Sequence, residues 1–170
     1  MLKKLFVFVF LSALLLWVNS CQKQYSELGE DSLYYIYNGQ EYDKVTCYFH
    51  SGIQNSLVTM QYNNQDTLHL SFCVQTTKDS GSSFLHFNIN HYHGQGKYYF
   101  DTNTGNNSYF TNNGVDINTA GQDTYIYILE IDQKNNIVRA LFEGQYAGQN
   151  NTKHTFTKGR LDLHYSLNNQ

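Results

Sequence analysis

The chain has 170 residues, of which only 15% are charged, and its formal net charge is −3. It contains 15 tyrosines and no proline, and Asn, Gln, Ser and Thr supply most of its polar groups. Lysine and arginine form no cluster, which excludes the electrostatic footprint of a nucleic-acid-binding protein.

Residues 1–20 have the layout of an export signal, in which two lysines precede the apolar run 5–18. This run is shorter than the roughly 20 residues of a membrane-spanning helix. Ser20 and Cys21 follow, and this ending resembles the lipobox of bacterial lipoproteins. The resemblance implies cleavage before Cys21 and acylation of its thiol and new amino group, which would anchor the protein to the membrane through its lipid. A retained anchor and a plain secretory signal are the alternatives.

After the signal, we predict a lipidated tether over residues 21–32 and one domain over residues 33–170. Apolar and polar residues alternate from Leu33 onward, the pattern of half-buried strands. Asn38-Gly39 predicts a hairpin with a type I′ turn, because both residues tolerate positive φ. The clear strands are 33–37, 41–49, 57–62, 68–74, 85–89, 98–100, 125–131, 138–146 and a last one carrying Leu161, Leu163 and Tyr165.

Residues 101–123 are rich in Asn, Thr and Gly, and their pattern is weak. A run of this length without structure is uncommon in a compact domain, so we expect one or two short strands around residues 108–111. The whole pattern predicts an all-β fold, either an antiparallel β-sandwich or a partly closed β-barrel of about nine or ten strands.

Several segments resemble the small all-β lipoproteins of Bacteroidota whose domains have no assigned function. The resemblance covers most of residues 33–165 and rests on turn glycines and core aromatics. It implies the fold and the envelope location but brings no activity or catalytic residue. The segments that carry it are Tyr37-Asn38-Gly39, Gly94 to Tyr99, Tyr125 to Asp132, Ala140 to Tyr146 and Thr155 to Leu161.

Two cysteines, Cys47 and Cys73, remain besides Cys21. A disulfide is allowed outside the cytoplasm. The strand pattern places Cys47 on an inward face and Cys73 on an outward face, whereas a bridge needs converging side chains. The pair therefore forms either a disulfide or two separate thiols, and its spacing is unlike that of a zinc site.

No arrangement of residues in the sequence predicts catalysis or a cofactor. His91 and His93 lie on one side of an extended segment with His86 nearby, but no acidic or thiol ligand is at metal-site spacing, so surface histidines are the favoured interpretation. No serine lies in a Gly-x-Ser-x-Gly turn. Glu130 and Glu143 are the candidates for a pair of acids, and both fall on ordinary strand positions.

The predicted outward tyrosines are Tyr48, Tyr92, Tyr99 and Tyr109. Tyrosine rings beside Asn and Gln amides suit a surface that binds sugars or peptides, and tyrosine adds contact area at little entropic cost. Tyrosine is also a good strand former whose hydroxyl reaches water, which is the structural interpretation.

The sequence therefore predicts an outer-membrane lipoprotein anchored at Cys21, on either the periplasmic or the surface face. We expect it to be a non-enzymatic binding or interaction module with a glycan or protein partner. Three hypotheses remain open. A sugar binder predicts tyrosines clustered on one sheet face or in the loops. An accessory or immunity-type subunit predicts an exposed sheet edge or apolar patch. A lipocalin-like carrier predicts a closed barrel with an apolar cavity.

Overall fold

The computed structural model describes residues 32–43, 48–49, 52–53, 58–63, 66–75, 83–101, 103–112, 116–148 and 152–167. The predicted signal, Cys21, almost all of the tether and Cys47 lie outside these residues. The described part consists of strands and turns without a helix. The strands are β1 (Ser32–Tyr37), β2 (Gln40–Asp43), β3 (Tyr48–Phe49), β4 (Gly52–Ile53), β5 (Val58–Asn63), β6 (Thr67–Val74), β7 (Ser83–Asn90), β8 (Gly96–Tyr99), β9 (Asn107–Asn112), β10 (Asp116–Ala120), β11 (Tyr125–Asp132), β12 (Ile137–Ala147) and β13 (Lys153–Leu167).

One large sheet contains all of these strands except β3 and β4, which pair with each other. Its order is β2-β1-β13-β5-β6-β7-β9-β10-β12-β11-β8, and β12 also pairs with β13. This extra pairing closes the central part of the sheet on itself. The fold is therefore all-β and curled into a partly closed barrel, which confirms the predicted fold class.

The curled sheet has two walls that pack on each other. We call β2-β1-β13-β12-β11-β8 the front sheet and β5-β6-β7-β9-β10 the back sheet. One corner joins β5 to the end of β13 in parallel, and the other joins β10 to the last residues of β12. Among the described strands, β5–β13 is the one parallel pair in a sheet predicted to be antiparallel.

The structure contains more strands than the sequence predicts, and the difference comes from β4, β10 and one predicted strand that is divided in two. The predicted strand 41–49 is found as β2 and β3, which belong to different sheets. The weak stretch 101–123 contains both β9 and β10, which pair with each other. β9 confirms the strand expected around residues 108–111, and β10 is additional.

The first hairpin has the predicted turn. Asn38 and Gly39 both have positive φ, at 48° and 85°, and connect β1 to β2 in antiparallel register. The Asn38 side-chain oxygen also accepts the Thr155 N–H at 2.9 Å, so this turn is tied to β13. Asn and Gly tolerate this backbone conformation at low cost, which is why the pattern was readable in the sequence.

Aromatic rings fill the space between the two walls. Phe142 of the front sheet lies 5.0 Å from Phe72 of the back sheet, measured between ring centroids, and Phe156 lies 5.3 Å from Phe110. All four rings are buried. Aromatic pairs at such distances add roughly 0.5–1.5 kcal/mol each beyond the burial of their area. The two walls are therefore held together chiefly by aromatic packing.

The longest strand, β13, bends so that a glycine faces the core. Gly159 lies directly opposite Phe142 of β12, and the register shifts just beyond this pair. A Cβ atom at Gly159 would come within 2.6 Å of three Phe142 ring atoms. The Phe142 ring therefore occupies the space that a side chain at position 159 would need.

Candidate functional site

Strand alternation brings four polar or aromatic side chains together on the outside of the front sheet. In β8 and β11 the inward residues Tyr98, Ile126 and Ile128 are buried. Their neighbours point outward, where Tyr99 lies opposite Tyr125 and Lys97 lies opposite Tyr127. We call Lys97, Tyr99, Tyr125 and Tyr127 the tyrosine patch.

Lys97, Tyr99 and Tyr125 of the tyrosine patch contact one another. The Lys97 ammonium lies 3.6 Å from the centroid of the Tyr125 ring and 4.9 Å from that of Tyr99. The two rings are 6.1 Å apart and inclined by 57°. Cation–π contacts at exposed sites contribute about 0.5–1 kcal/mol, enough to favour one arrangement of these rings.

The outer two tyrosines of the patch remain open to solvent. Tyr99 is 44% exposed and Tyr127 is 39% exposed, and these are the large apolar side chains that the described part of the chain leaves exposed. Such rings offer a flat apolar face and a hydroxyl at the same surface. The patch can therefore stack against a ligand and also donate hydrogen bonds to it.

The charges around the patch are compensated locally. The hydrogen bond that the Lys97 ammonium donates to Tyr99 raises the pKa of Lys97, and the nearby tyrosine rings and Glu143 raise it further, so the ammonium is charged at neutral pH. Burial, followed by the charge of Glu143, raises the pKa of Tyr125, so this phenol stays neutral. Glu143 lies opposite Tyr125 in β12 and also accepts the Lys158 backbone N–H at 3.2 Å.

The patch continues as a row of side chains across all six strands of the front sheet. Each member is the register partner of the next, and each is exposed or half-buried. We call this set the transverse row. Its members, from β8 to β2, are Lys97, Tyr127, Leu141, Arg160, Tyr34 and Asp43.

A second row beside it is ionic. Arg139 of β12 binds Asp162 of β13 through Nε at 2.9 Å and binds Glu130 of β11 through Nη1. Two carboxylates thus share one guanidinium. The pKa of Arg139 is raised by its hydrogen bonds to Asp162 and Glu130, so the guanidinium stays charged. Glu130 and Asp162 are therefore both ion-paired with Arg139 and do not form a pair of acids without a cation.

The back sheet carries a different polar cluster on its outer face. The Ser71 hydroxyl and His86 Nδ1 are hydrogen-bonded at 2.7 Å, and the His86 ring stacks on Tyr109 with centroids 4.3 Å apart. Burial lowers the pKa of His86 to about 4. An imidazole with so low a pKa is a poor general base at neutral pH, because general-base catalysis is most efficient when the pKa of the base lies near the working pH. Among the described residues no carboxylate contacts His86, so the cluster lacks the third member of a nucleophile–base–acid arrangement.

The predicted ligand-binding tyrosines do not form one site. Tyr99 belongs to the tyrosine patch. Tyr109 lies on the back sheet against His86, and Tyr92 packs in the loop before β8, 5.8 Å from Tyr98. Tyr48 lies in β3, and its side chain is outside the described part. Tyr92 and Tyr109 are half-buried, because neighbouring rings cover them.

Tyr125, Tyr127 and Lys97 were not predicted as binding residues from the sequence. The signal was present in Tyr125-Ile126-Tyr127, since a buried isoleucine between two tyrosines places both rings on the solvent face. What the sequence did not contain was the pairing of β8 with β11, which brings Tyr99 and Lys97 beside them.

The prediction that Cys73 faces outward to solvent is wrong. Cys73 is only 1% exposed, because Phe72, Cys73 and Val74 are all buried and both faces of β6 are covered at this end. Cys73 is disulfide-bonded, and no other cysteine lies among the described residues. A bridge between Cys73 and Cys47 therefore stays a prediction, as does the lipidation of Cys21.

The histidines and acids that the sequence singled out are separated in the fold. His93 Nδ1 is 3.1 Å from the backbone carbonyl of His91, and His86 belongs to the back sheet. In the part of the chain that the structure describes, His, Cys, Asp and Glu form no group of three or more that could hold a metal ion. Glu130 belongs to the Arg139 network, and Glu143 lies beside the patch.

Comparison with protein-family models, with curated proteins and with solved structures finds no match. The described residues also contain no helix long and apolar enough to cross a membrane. Any functional assignment must therefore come from the residues of the site.

Proposed function

We propose that this protein is a lipoprotein of the bacterial outer membrane, anchored at Cys21, whose β-domain is a non-enzymatic binding module. The tyrosine patch is the proposed binding site. The observation that carries the proposal is that two exposed tyrosines, Tyr99 and Tyr127, share a surface with a lysine fixed over a third ring. The predicted export signal and its lipobox-like ending at Ser20 and Cys21 support this location.

The chemistry of the patch favours a glycan over a protein partner. Flat aromatic faces stack on the apolar faces of sugar rings, while phenol, ammonium and carboxylate groups at their rim bond to hydroxyls. Protein-binding surfaces instead depend on an apolar centre from which charged residues are depleted. The tyrosine patch has an ammonium at its centre, 3.6 Å from a ring centroid.

The sheet edge next to the patch is poorly suited to pairing with a partner strand. β8 has only four residues and carries Lys97, and short charged edges are a known way to prevent edge-to-edge pairing. Its last carbonyl, at Tyr99, already accepts hydrogen bonds from the Thr104 hydroxyl at 3.1 Å and the Asn106 amide at 3.0 Å. This favours the sugar-binding hypothesis over an accessory or immunity-type subunit that adds a strand.

The core favours a surface site over a carrier. The described inner residues include rings in mutual contact, such as Tyr37 with Phe156 at 5.0 Å and Phe87 with Phe100 at 5.1 Å. The hydroxyl of Tyr146 is buried and hydrogen-bonded to Ser108 Oγ at 2.9 Å. Side chains packed in this way leave little room for a ligand between the walls.

The anchor is tested by Cys21→Ser. We expect the wild-type protein in the membrane fraction and the variant in the soluble fraction, because acyl chains supply the membrane affinity. Mass spectrometry of the wild-type protein should find an acylated N-terminal cysteine. A variant that stays in the membrane fraction would refute the anchor.

Binding is tested on a glycan array with the detergent-purified lipoprotein. We expect selective signals that Tyr99→Ala and Tyr127→Ala each reduce about fivefold, the effect of losing an aromatic contact of roughly 1 kcal/mol. Tyr109→Ala is the matched control, because it removes a tyrosine from the outer face of the other sheet. Equal losses in all three variants would place the binding outside the patch.

A further inference from the structure

We infer that the ligand is a linear, uncharged glycan that lies along the transverse row, perpendicular to the strands of the front sheet. The inference rests on the proposed function and specifies its ligand. It starts from the register, which places Lys97, Tyr127, Leu141, Arg160, Tyr34 and Asp43 in one line across six neighbouring strands.

The direction of the ligand follows from what lies on either side of the row. The row itself presents the Tyr127 and Tyr34 rings, the Leu141 side chain and the stem of Arg160, so it offers apolar surface at four successive strands. On one side it is bordered by the ion network of Glu130, Arg139 and Asp162. On the other side, Tyr125 is the first residue of β11 and Tyr99 is the last residue of β8. A chain that ran along the strands would therefore meet the ions in one direction and pass the ends of these two strands in the other.

The length of the ligand follows from the strand spacing. Six strands span five spacings, roughly 24 Å at about 4.8 Å each. A pyranose unit in an extended chain is about as long as one strand spacing. Four to five sugars would therefore cover the row. Tyr127 and Tyr34 are three spacings apart, roughly 14 Å, so a disaccharide cannot contact both.

The far ring of the row, Tyr34, is held through its hydroxyl. Tyr34 of β1 lies between Arg160 of β13 and Asp43 of β2 in the register. Its hydroxyl is hydrogen-bonded to Glu41, and burial followed by the Glu41 charge raises its pKa, so it stays a neutral phenol. The ring can therefore act as a second stacking point at the opposite end of the row.

The neutrality of the ligand follows from the charges on this face. The transverse row and the ionic row together contain three cations, Lys97, Arg139 and Arg160, and three carboxylates, at Asp43, Glu130 and Asp162. Arg139 is bound by two of these carboxylates, and Lys97 lies between aromatic rings near Glu143. Because the charges of the two rows cancel, this face has no net positive charge to attract an acidic polymer, whereas an uncharged chain needs none.

Isothermal titration calorimetry of the detergent-purified lipoprotein tests the inference. The probes are linear gluco-, manno-, xylo- and N-acetylglucosamine oligosaccharides from the disaccharide to the heptasaccharide, with uronic acid oligomers as the charged arm. For the neutral series that binds, we expect the affinity to rise at least about tenfold from disaccharide to pentasaccharide and then to level off. Uronic acid oligomers should bind at least about tenfold more weakly.

Three single variants locate the ligand along the row. Tyr127→Ala should weaken both disaccharide and pentasaccharide by about fivefold to tenfold, whereas Tyr34→Ala should weaken only the pentasaccharide. Tyr109→Ala on the back sheet should change neither.

The possible failures are distinguishable. If affinity is independent of length and Tyr34→Ala has no effect while Tyr127→Ala weakens binding, the transverse ligand is refuted and the proposed function stands. If acidic oligomers bind as tightly as neutral ones, the uncharged assignment is refuted. If neither neutral nor acidic oligomers bind, or if Tyr127→Ala leaves binding unchanged, the inference and the glycan-binding function fail together.

Discussion

Replacing Gly159 with alanine should destabilise the fold because the new methyl group would collide with the core. Its carbon would come within 2.6 Å of three atoms of the Phe142 ring. Carbon atoms in contact normally lie about 3.5–4.0 Å apart, so the ring would have to move by about 1 Å. Phe142 is buried, and its ring lies 5.0 Å from Phe72 and 6.4 Å from Tyr35 and Phe87, which block that movement.

Overpacking of this kind costs about 1–3 kcal/mol, and the lower entropy of the unfolded alanine chain offsets about 0.4–1 kcal/mol of it. We therefore expect Gly159→Ala to lower the free energy of unfolding by about 1.3 kcal/mol. With a urea m-value of about 2 kcal/mol/M, the unfolding midpoint should fall by about 0.6 M. Far-ultraviolet circular dichroism of the strands is the measurement.

A second variant identifies the source of the strain. Phe142→Leu removes the ring atoms that alanine would meet, so adding Gly159→Ala to it should cost almost nothing further. The double-mutant cycle should give a coupling of about 1–2 kcal/mol. An unchanged midpoint in Gly159→Ala, or simple additivity of the two substitutions, would refute the packing described for this pair.

The remaining predictions concern charge. The pKa of His86 is about 4 in the folded protein and about 6.5 in the unfolded chain, so between these pH values the unfolded chain binds a proton that the folded protein does not. The free energy of unfolding should therefore fall as the pH drops from about 6.5 to 4, by about 2 kcal/mol after allowance for the partial exposure of the ring. Urea unfolding at several pH values should show this slope in the wild type and a shallower one in His86→Gln; equal slopes would contradict the burial of the ring. Arg139→Met leaves the Glu130 and Asp162 carboxylates without their shared cation, and we expect the free energy of unfolding to fall by about 2 kcal/mol. This is less than the loss for a fully buried pair, because the Arg139 side chain is 37% exposed. Lys134→Met, in the exposed turn before β12, is the control, and equal unfolding midpoints for the two variants would show that the ion network adds nothing.

The sequence predicted the strands well where burial imposes an alternating pattern. In β6, β7 and β12 the inward stripes contain residues such as Leu70, Phe87 and Phe142, and all three are buried as expected. The turn at Asn38-Gly39 was also readable, because few residues tolerate positive φ. These features depend on neighbours along the chain.

The site could not be predicted because it depends on pairing between distant segments. Lys97 and Tyr127 face each other only because β8 joins β11, and Tyr34 joins their row only because β13 lies between β1 and β12. Outward tyrosines were expected to bind ligands, but alternation alone does not separate exposed Tyr99 from Tyr109, which is covered by His86. The buried position of Cys73 was missed for the same reason, since the covering of a second sheet face leaves no period-two signal.

Nuclear magnetic resonance of the tyrosine rings would test the proposed site most directly. With ring-labelled tyrosine in the lipoprotein and the tightest neutral oligosaccharide of the series, we predict chemical-shift changes at Tyr34, Tyr99, Tyr125 and Tyr127 that saturate together. The rings of Tyr92 and Tyr109 should not respond. Shifts confined to those two rings, or the absence of any shift at saturating oligosaccharide, would contradict a ligand surface on the front sheet.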